Sequence, residues 1–331
     1  MERPETDIMK RYIAGVDLGA THTKIAVLDL RGRVLSKDTF LTKKYRKDSL
    51  IKAVAAALNG LIDKNKIQKK DFLGLGIGVP GLVDFKRGLV FYFVNIPDWK
   101  NVPLKKEMRG ITGLPVFVDN DVNAMALGEL RFGAGKGHKE VICLTLGTGA
   151  GGAVVTDGRI YRGADTAAGE IGHIPINENG PLCNCGSRGC LEAYVGKDYF
   201  LKDVKRGLRK GAKSIVINMA HGRLSGITPE LLQRAAEKGD SFAIGKWREY
   251  GRHIGSALAG IVNLLNPELI IIGGGMSGAY RHIAGPIREV IDEKAMRIQK
   301  KTVKLARAKL GNDAGVIGAA ELVKISAARG A

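Results

Sequence analysis

Asp17-Leu18-Gly19-Ala20-Thr21-His22-Thr23-Lys24 is the stretch on which the fold turns. An apolar run from Tyr12 to Val16 enters it, and a second from Ile25 to Leu30 leaves it. This reads as strand, glycine turn, strand, with hydroxyls and a lysine in the turn. Backbone N–H groups in such a turn can approach a phosphate with no Cβ in the way. A second copy lies downstream: the apolar strand Val141 to Leu146, the turn Gly147-Thr148-Gly149-Ala150-Gly151-Gly152, and the strand Ala153 to Thr156. Laid over the first, Gly147 falls on Gly19, Val155 on Val27 and Asp157 on Asp29. Gly-Arg-aliphatic then follows in both, as Gly32-Arg33-Val34 and Gly158-Arg159-Ile160. The chain reads as a duplication with one such unit opening each half. Two such turns facing each other would make a two-jawed clamp for a polyphosphate.

Between the units, Ser49 to Lys64 carries a helical apolar stripe (Leu50, Ile51, Val54, Leu58, Leu61, Ile62). Phe72 to Val79 is a buried strand ending at Pro80-Gly81, at the strand edge where α/β sheets place their sites. Asn95 to Trp99 reads as a loop. Pro115 to Val118 is a strand whose tip is Asp119-Asn120-Asp121, and Val122 to Arg131 is a helix. Asn120 or Asp121 could simply cap that helix, but three polar residues exceed what one cap needs. Farther on, Asp203 to Lys213 reads as a basic surface segment, and a helix from about Ser241 to Leu265 stops at Asn266-Pro267. The strand Glu268 to Ile272 runs into Gly273-Gly274-Gly275, which suits close approach of a flat ligand such as a nucleoside. A helix is expected from Pro286, a strand near Val303 to Ala306, and a last helix from about Ala314 to Ser326.

Three of the four cysteines fall together, in Cys183-Asn184-Cys185-Gly186-Ser187-Arg188-Gly189-Cys190, with His173 upstream. Three thiols and one imidazole match the ligand count of a closed tetrahedral structural zinc site. Gly186 and Gly189 allow the tight bends that turn the sulfurs inward. A disulfide would leave an odd thiol. Glu170 and Glu192 bracket the cluster, so a metal fixing this loop would also position two acids. Cys143, inside a strand, reads as an ordinary buried thiol.

At 331 residues the chain can build two domains with real cores, and its 45 glycines suit an α/β protein. No apolar run is long enough to span a bilayer, and Met1 to Arg11 has no apolar signal core. A cytoplasmic protein with no membrane partner is expected. The net charge of +19 raises the question of nucleic acid. However, the basic clusters (43–47, 64–70, 202–213, 294–309) are scattered and lack interleaved aromatics. Solvated faces that favour anionic substrates such as nucleotides are expected, with no nucleic-acid partner.

Asp17-x-Gly19-x-Thr21-x-x-Lys24, Asn120-Asp121, Leu146 to Gly152, Glu170-x-Gly172-His173, Cys183-x-Cys185-Gly186-x-x-Gly189-Cys190-x-Glu192 and Gly273-Gly274-Gly275 occur in this order over nearly the whole length. Together they resemble the ROK family of sugar kinases, repressors and uncharacterised reading frames, most of all its bacterial and archaeal glucokinases. The resemblance implies an actin-like ATPase (ribonuclease H-like) α/β fold, with two domains around a cleft. The smaller would span residues 1–122 plus 314–331, the last helix crossing back, and the larger 123–313 with the zinc loop. A homodimer or homotetramer is implied as well. So is ATP-dependent phosphorylation of glucose at its 6-hydroxyl, with Asp121 as general base. Gly81, Asn120, Asp121, Glu170, His173 and Glu192 would contact the sugar, His173 turning its second ring nitrogen to a hydroxyl. Asp17 with Mg²⁺, Gly19, Thr21, Lys24, Gly147, Thr148 and Gly149 would handle the phosphates of ATP or ADP, and Gly274 and Gly275 would flank the adenosine. His173, Cys183, Cys185 and Cys190 would hold structural zinc. Family kinases for N-acetylmannosamine, fructose, mannose or allose share much of this pattern, and ADP or polyphosphate could replace ATP as donor. Family repressors carry a DNA-binding region before the first strand, for which a strand starting near Tyr12 leaves no room.

Overall fold

The computed structural model describes residues 11–93, 96 and 98–328. Most of the Met1–Arg11 segment, and Asn95 and Pro97 of the expected loop, lie outside the described residues. Contacts divide the chain into two compact units. Unit 1 holds the chain through Lys136, the short strap Arg162–Ala168 and everything from Lys309 on; unit 2 holds Gly137–Tyr161 and Gly169–Ala308.

Unit 1 begins with β1 (Tyr12–Leu18), β2 (His22–Asp29) and β3 (Val34–Leu41), then α1 (Lys47–Lys64) and β4 (Phe72–Val79). β5 (Val83–Asp84), β6 (Leu89–Tyr92) and β7 (Lys100–Val102) form a small antiparallel sheet. α2 (Leu104–Thr112), β8 (Val116–Asn120) and α3 (Asp121–Phe132) follow. The main sheet has the order β3-β2-β1-β4-β8, with β1, β4 and β8 parallel. Alternation decides its two faces. Ala14, Val16, Leu18, Ile25, Leu75 and Ile77 meet the stripe of α1 on one side.

Unit 2 runs β9 (Val141–Leu146), β10 (Ala150–Thr156), β11 (Arg159–Tyr161), α4 (Glu192–Val195), α5 (Lys197–Arg209), α6 (Val216–Met219), α7 (Pro229–Glu237) and α8 (Ser241–Leu265). It ends with β12 (Leu269–Gly273), α9 (Tyr280–Lys294), α10 (Arg297–Thr302) and β13 (Lys304–Arg307). Its sheet order, β11-β10-β9-β12-β13, repeats that of unit 1: three antiparallel strands, then two parallel additions. The duplication seen in the glycine hairpins is therefore a duplication of whole sheets. α8 supplies much of the core through Trp247, Tyr250, Ile254, Leu258 and Val262. Asp240 caps its start, accepting from the Ala243 N–H at 2.8 Å. Asn266, left-handed at φ +48°, ends it before Pro267.

The last helix, α11 (Ala314–Ala328), falls in unit 1. Its Val316, Ile317, Ala320 and Val323 cover Ile13, Ala26 and Leu28 on the second sheet face. Gly15 and Gly76, paired across β1 and β4, let the helix backbone touch the sheet. A Cβ on Gly76 would stand 1.8 Å from the Ala319 carbonyl oxygen, and one on Gly15 2.1 Å from that of Val316. α3 belongs with α11 for the same reason: a Cβ on Gly318 would lie 1.5 Å from the Ala124 carbonyl oxygen. The contact boundary thus falls at 136/137, 14 residues beyond the expected 122/123.

Other elements also differ from expectation. β1 continues through Asp17 and Leu18. As far as Arg209 the basic segment is the end of α5, whose Phe200, Leu201, Val204 and Leu208 are buried. α9 starts at Tyr280 and carries Pro286 in its interior. No described helix is long and apolar enough to cross a membrane.

Candidate active site and metal cluster

In unit 1 the expected residues gather at the C-terminal edge of the parallel strands. Asp17 is paired across to Gly78, and Gly78 to Asp119. Lys24, opposite Asp17 in the hairpin, reaches its Oδ2 at 3.2 Å and donates to the Asn312 carbonyl at 3.0 Å. Burial pushes the Asp17 carboxyl above its usual range, with Lys24 opposing. A largely buried carboxylate sharing a single lysine is suited to a further cation. The hairpin turn is pinned by Thr42, which the sequence reading missed. Its hydroxyl donates to the Gly19 carbonyl (2.7 Å) and shares a hydrogen bond with Thr23 (2.9 Å), while its N–H donates to the Thr21 carbonyl (3.0 Å). Thr21 itself is exposed.

Asn120 caps α3, its Oδ1 accepting from the Val122 N–H at 2.8 Å. Its amide donates to the Gly81 carbonyl at 3.1 Å, so one side chain both starts a helix and holds the Pro80-Gly81 bend. Gly81 has φ +94°, and a Cβ there would sit 2.3 Å from the Tyr92 carbonyl oxygen. Asp121 is the first residue of α3, its Oδ1 accepting from the Val122 N–H (2.9 Å). Gly78 leaves room for this helix start: a Cβ there would be 3.3 Å from the Asp121 Cα.

In unit 2 the Gly147–Gly149 turn, Glu170–His173, Glu192 and the cysteines form one connected structure. Glu192 Oε2 accepts from the Ala150 N–H at 2.9 Å, and Cys183 Sγ stands 3.9 Å from Oε1. Glycines on both sides let β10 and the 170–173 turn pack closely: a Cβ on Gly172 would lie 1.9 Å from the Ala150 carbonyl oxygen, and one on Gly152 2.4 Å from that of Gly169. This seats Glu170-Ile171-Gly172-His173 directly on β10. Glu170 is exposed, with Oε2 3.9 Å from His173 Nε2. Gly274 (φ +83°) packs on the end of β9, where a Cβ would be 2.3 Å from the Leu146 carbonyl oxygen; Gly275 has open space around it. Thr148 is exposed at the turn.

The ligand atoms of His173, Cys183, Cys185 and Cys190 all lie within 4.8 Å of one another. Cys185 and Cys190 sulfurs are 3.6 Å apart, and Cys183 Sγ is 3.8 Å from His173 Nδ1. Donors on a tetrahedron with arms of about 2.3 Å sit about 3.8 Å apart, so the set fits zinc. All four cysteines are free thiols. Burial pushes the Cys183 thiol up to about 12 and also raises Cys190, while the Ser187 backbone lowers Cys185. A cation in their midst would offset the burial that opposes thiolate formation. Gly186 (φ +91°) and Gly189 (φ +69°) make the expected bends. A Cβ on Gly189 would also strike the Asn177 carbonyl oxygen at 1.6 Å.

Sequence reasoning also missed Arg162 and Asp119. The strap Arg162–Ala168 packs within unit 1, and the Arg162 guanidinium binds Asp119 Oδ2 through Nε (3.1 Å) and Nη2 (2.6 Å). Asp119 was visible only as a surplus polar residue at the strand tip, and no local pattern points to Arg162.

Two sheets of the same order, each opened by a glycine hairpin, define the class: this is the actin-like ATPase fold. The ROK family model matches residues 13–326, and the chain belongs to the ROK family. It is 38% identical over 316 residues to the glucokinase of Thermotoga maritima, covering 95% of this chain and 98% of that protein. The structure of a ROK family glucokinase from Streptomyces griseus, in complex with glucose and AMPPNP, superposes with a TM-score of 0.84 at 35% identity, covering 95% of this chain and 99% of that one. A ROK family transcriptional regulator superposes with a TM-score of 0.87 at 28% identity, covering 98% of this chain and 82% of the regulator.

Proposed function

We propose that this protein is a glucokinase that transfers the γ-phosphoryl group of ATP to the 6-hydroxyl of glucose. Its near full-length likeness to glucokinases supports the substrate pair. The observation that carries the base assignment is Asp121 on the first turn of α3, at the edge of β1, β4 and β8, beside an Asn120 that holds Gly81. Asp121 takes the proton from the attacking hydroxyl, a contribution of about 10²–10⁴ in rate. Asn120, the Gly81 backbone, Glu170, His173 and Glu192 orient the sugar. The Gly19 and Gly147–Gly149 turns, with Thr21, Lys24 and Thr148, bind the phosphates, and Gly274 and Gly275 flank the adenosine. Asp17 would hold Mg²⁺, which neutralises charge on the transferring phosphoryl group when bound. Zinc on His173, Cys183, Cys185 and Cys190 would be structural, since three thiolates and an imidazole leave no open position. The enzyme would work in the cytoplasm, where ATP is supplied and thiols stay reduced.

The test is kcat/KM over a panel of hexoses and N-acetylmannosamine, with ATP, ADP and polyphosphate as donors in the presence of Mg²⁺. Glucose with ATP is expected to lead. A clear preference for another sugar overturns the substrate assignment. In Asp121→Asn, turnover is expected to fall at least about a hundredfold with sugar binding nearly intact; near-normal turnover removes Asp121 from its role.

A further inference from the structure

We propose that Arg162 is a positioning residue for the phosphoryl transfer, acting through Asp119 to hold the Asn120–Asp121 tip; the proposal rests on the kinase reading above. Asp119 divides its carboxylate between two tasks. Oδ1 accepts from the Asn120 N–H (2.8 Å) and the Asn123 side-chain amide (3.0 Å), which ties it to the first turn of α3. Oδ2 receives the Arg162 fork. Turning the Asp119 carboxylate therefore moves the backbone on which Asp121 stands.

The pair is nearly dry, with side-chain exposures of 3% for Asp119 and 14% for Arg162. In such surroundings a forked, charge-assisted contact is strong and directional. Removing Arg162 leaves the buried Asp119 carboxylate without the cation that compensates its charge. Arg162 is itself held on both sides. Its guanidinium lies 4.0 Å from the centre of the Phe85 ring, and its carbonyl accepts from the Ala168 N–H at 3.0 Å, closing the strap into a loop. The far end of the strap is anchored by the Thr166 hydroxyl, which donates to the Val83 carbonyl at 2.7 Å. Thr166 sits at φ +66°, a conformation that a β-branched residue adopts only when its surroundings enforce it. Phe85 and Val83 follow Gly81, whose carbonyl Asn120 holds. One arginine thus ties together the two segments that carry Gly81 and Asn120–Asp121. Two residues after the strap, the chain reaches Glu170.

A displacement of about 1 Å at a reacting group costs about a hundredfold in rate, whereas binding tolerates it better. Arg162→Ala is therefore expected to lower kcat about tenfold to a hundredfold while the glucose KM moves less than about threefold. Arg162→Lys keeps the charge and most of the bulk but loses the fork, and is expected to fall between wild type and Arg162→Ala. Because the two residues act as one, Asp119→Asn combined with Arg162→Ala should lose little more than the worse single variant. The experiment is steady-state kinetics on wild type, Arg162→Ala, Arg162→Lys, Asp119→Asn, the double variant and Asp121→Asn, each confirmed folded by thermal unfolding. If Arg162→Ala does not fold, Arg162→Lys and the double variant carry the comparison. A kcat within about twofold of wild type in the folded Arg162 variants, alongside an inactive Asp121→Asn, overturns the proposal alone. Losses that multiply in the double variant overturn it too. An inactive wild type on every sugar and donor sinks the kinase reading and the proposal together.

Discussion

Gly147 and Gly149 stand two residues apart in one turn, yet the same methyl group should have opposite consequences at each. A Cβ on Gly149 would lie 2.2 Å from Glu192 Oε2 and 3.1 Å from its carboxyl carbon; one on Gly147 meets nothing within 4 Å. In Gly149→Ala, Glu192 could swing away from the added methyl by roughly 1 Å to reach ordinary contact distance. Doing so breaks the 2.9 Å bond from the Ala150 N–H and leaves that buried donor without its charged acceptor. Such a bond contributes about 1.5–3 kcal/mol. Unit 2 spans 25 residues in Gly137–Tyr161 and 140 in Gly169–Ala308, 165 in all. At that size the loss corresponds to a melting temperature lower by roughly 3–12 °C. Moving Glu192 should also raise the glucose KM, by about tenfold if the displaced carboxylate forfeits about 1.4 kcal/mol of sugar contact. Gly147→Ala should melt within about 1 °C of wild type and express any loss in the ATP KM. Calorimetric unfolding of both variants, with separate titrations of glucose and ATP, checks this. Equal melting temperatures, or an unchanged glucose KM in Gly149→Ala, would refute the coupling of Glu192 to the turn.

Asp17 offers a second test. Burial raises its folded pKa above the 3.8 expected of the unfolded chain, so between those values the folded state binds more protons. Stability is therefore lost as pH rises through that window. Asp17→Asn should melt at or above the wild-type temperature at pH 7, its advantage fading as pH falls towards 4, while activity collapses; a melting temperature several degrees lower at pH 7 would contradict this. For the metal cluster, elemental analysis should find about one zinc per chain. Replacing Cys183, Cys185 and Cys190 together by serine should weaken glucose binding more than ATP binding, because the loop they anchor carries Glu192 at its end and His173 beside Glu170. Unchanged glucose affinity in a metal-free variant would break that link.

Features written into adjacent residues were legible in the sequence. Both hairpins, the α8 stripe with its Asn266-Pro267 stop, the Gly273–Gly275 exit of β12 and the cysteine loop with Gly186 and Gly189 follow from local periodicity and turn chemistry. The strands of the small sheet, Val83–Asp84 and Lys100–Val102, are too short to show a period. α5 was hidden by its lysines and arginines, although Phe200, Leu201, Val204 and Leu208 have helical spacing. α9 was hidden by Pro286, a residue that usually marks a helix start. Most of the candidate site residues were visible as motifs, but what holds them was not. Asp119 and Arg162 are 43 positions apart, Ala150 and Glu192 42, and Thr23 and Thr42 19, and nothing local announces such pairs.

The path of the backbone carries a consequence for biosynthesis. The chain leaves unit 1 after Lys136, returns for seven residues at Arg162, and comes back finally at Lys309. While the ribosome translates the intervening stretch, Ile13, Ala26 and Leu28 have no α11 to cover them. From residue 136 to residue 314, at roughly 5–20 residues per second, that interval lasts about 10–40 s. The unit that begins first is thus completed last, and a nascent chain stalled anywhere in between presents one bare sheet face to the chaperones around it.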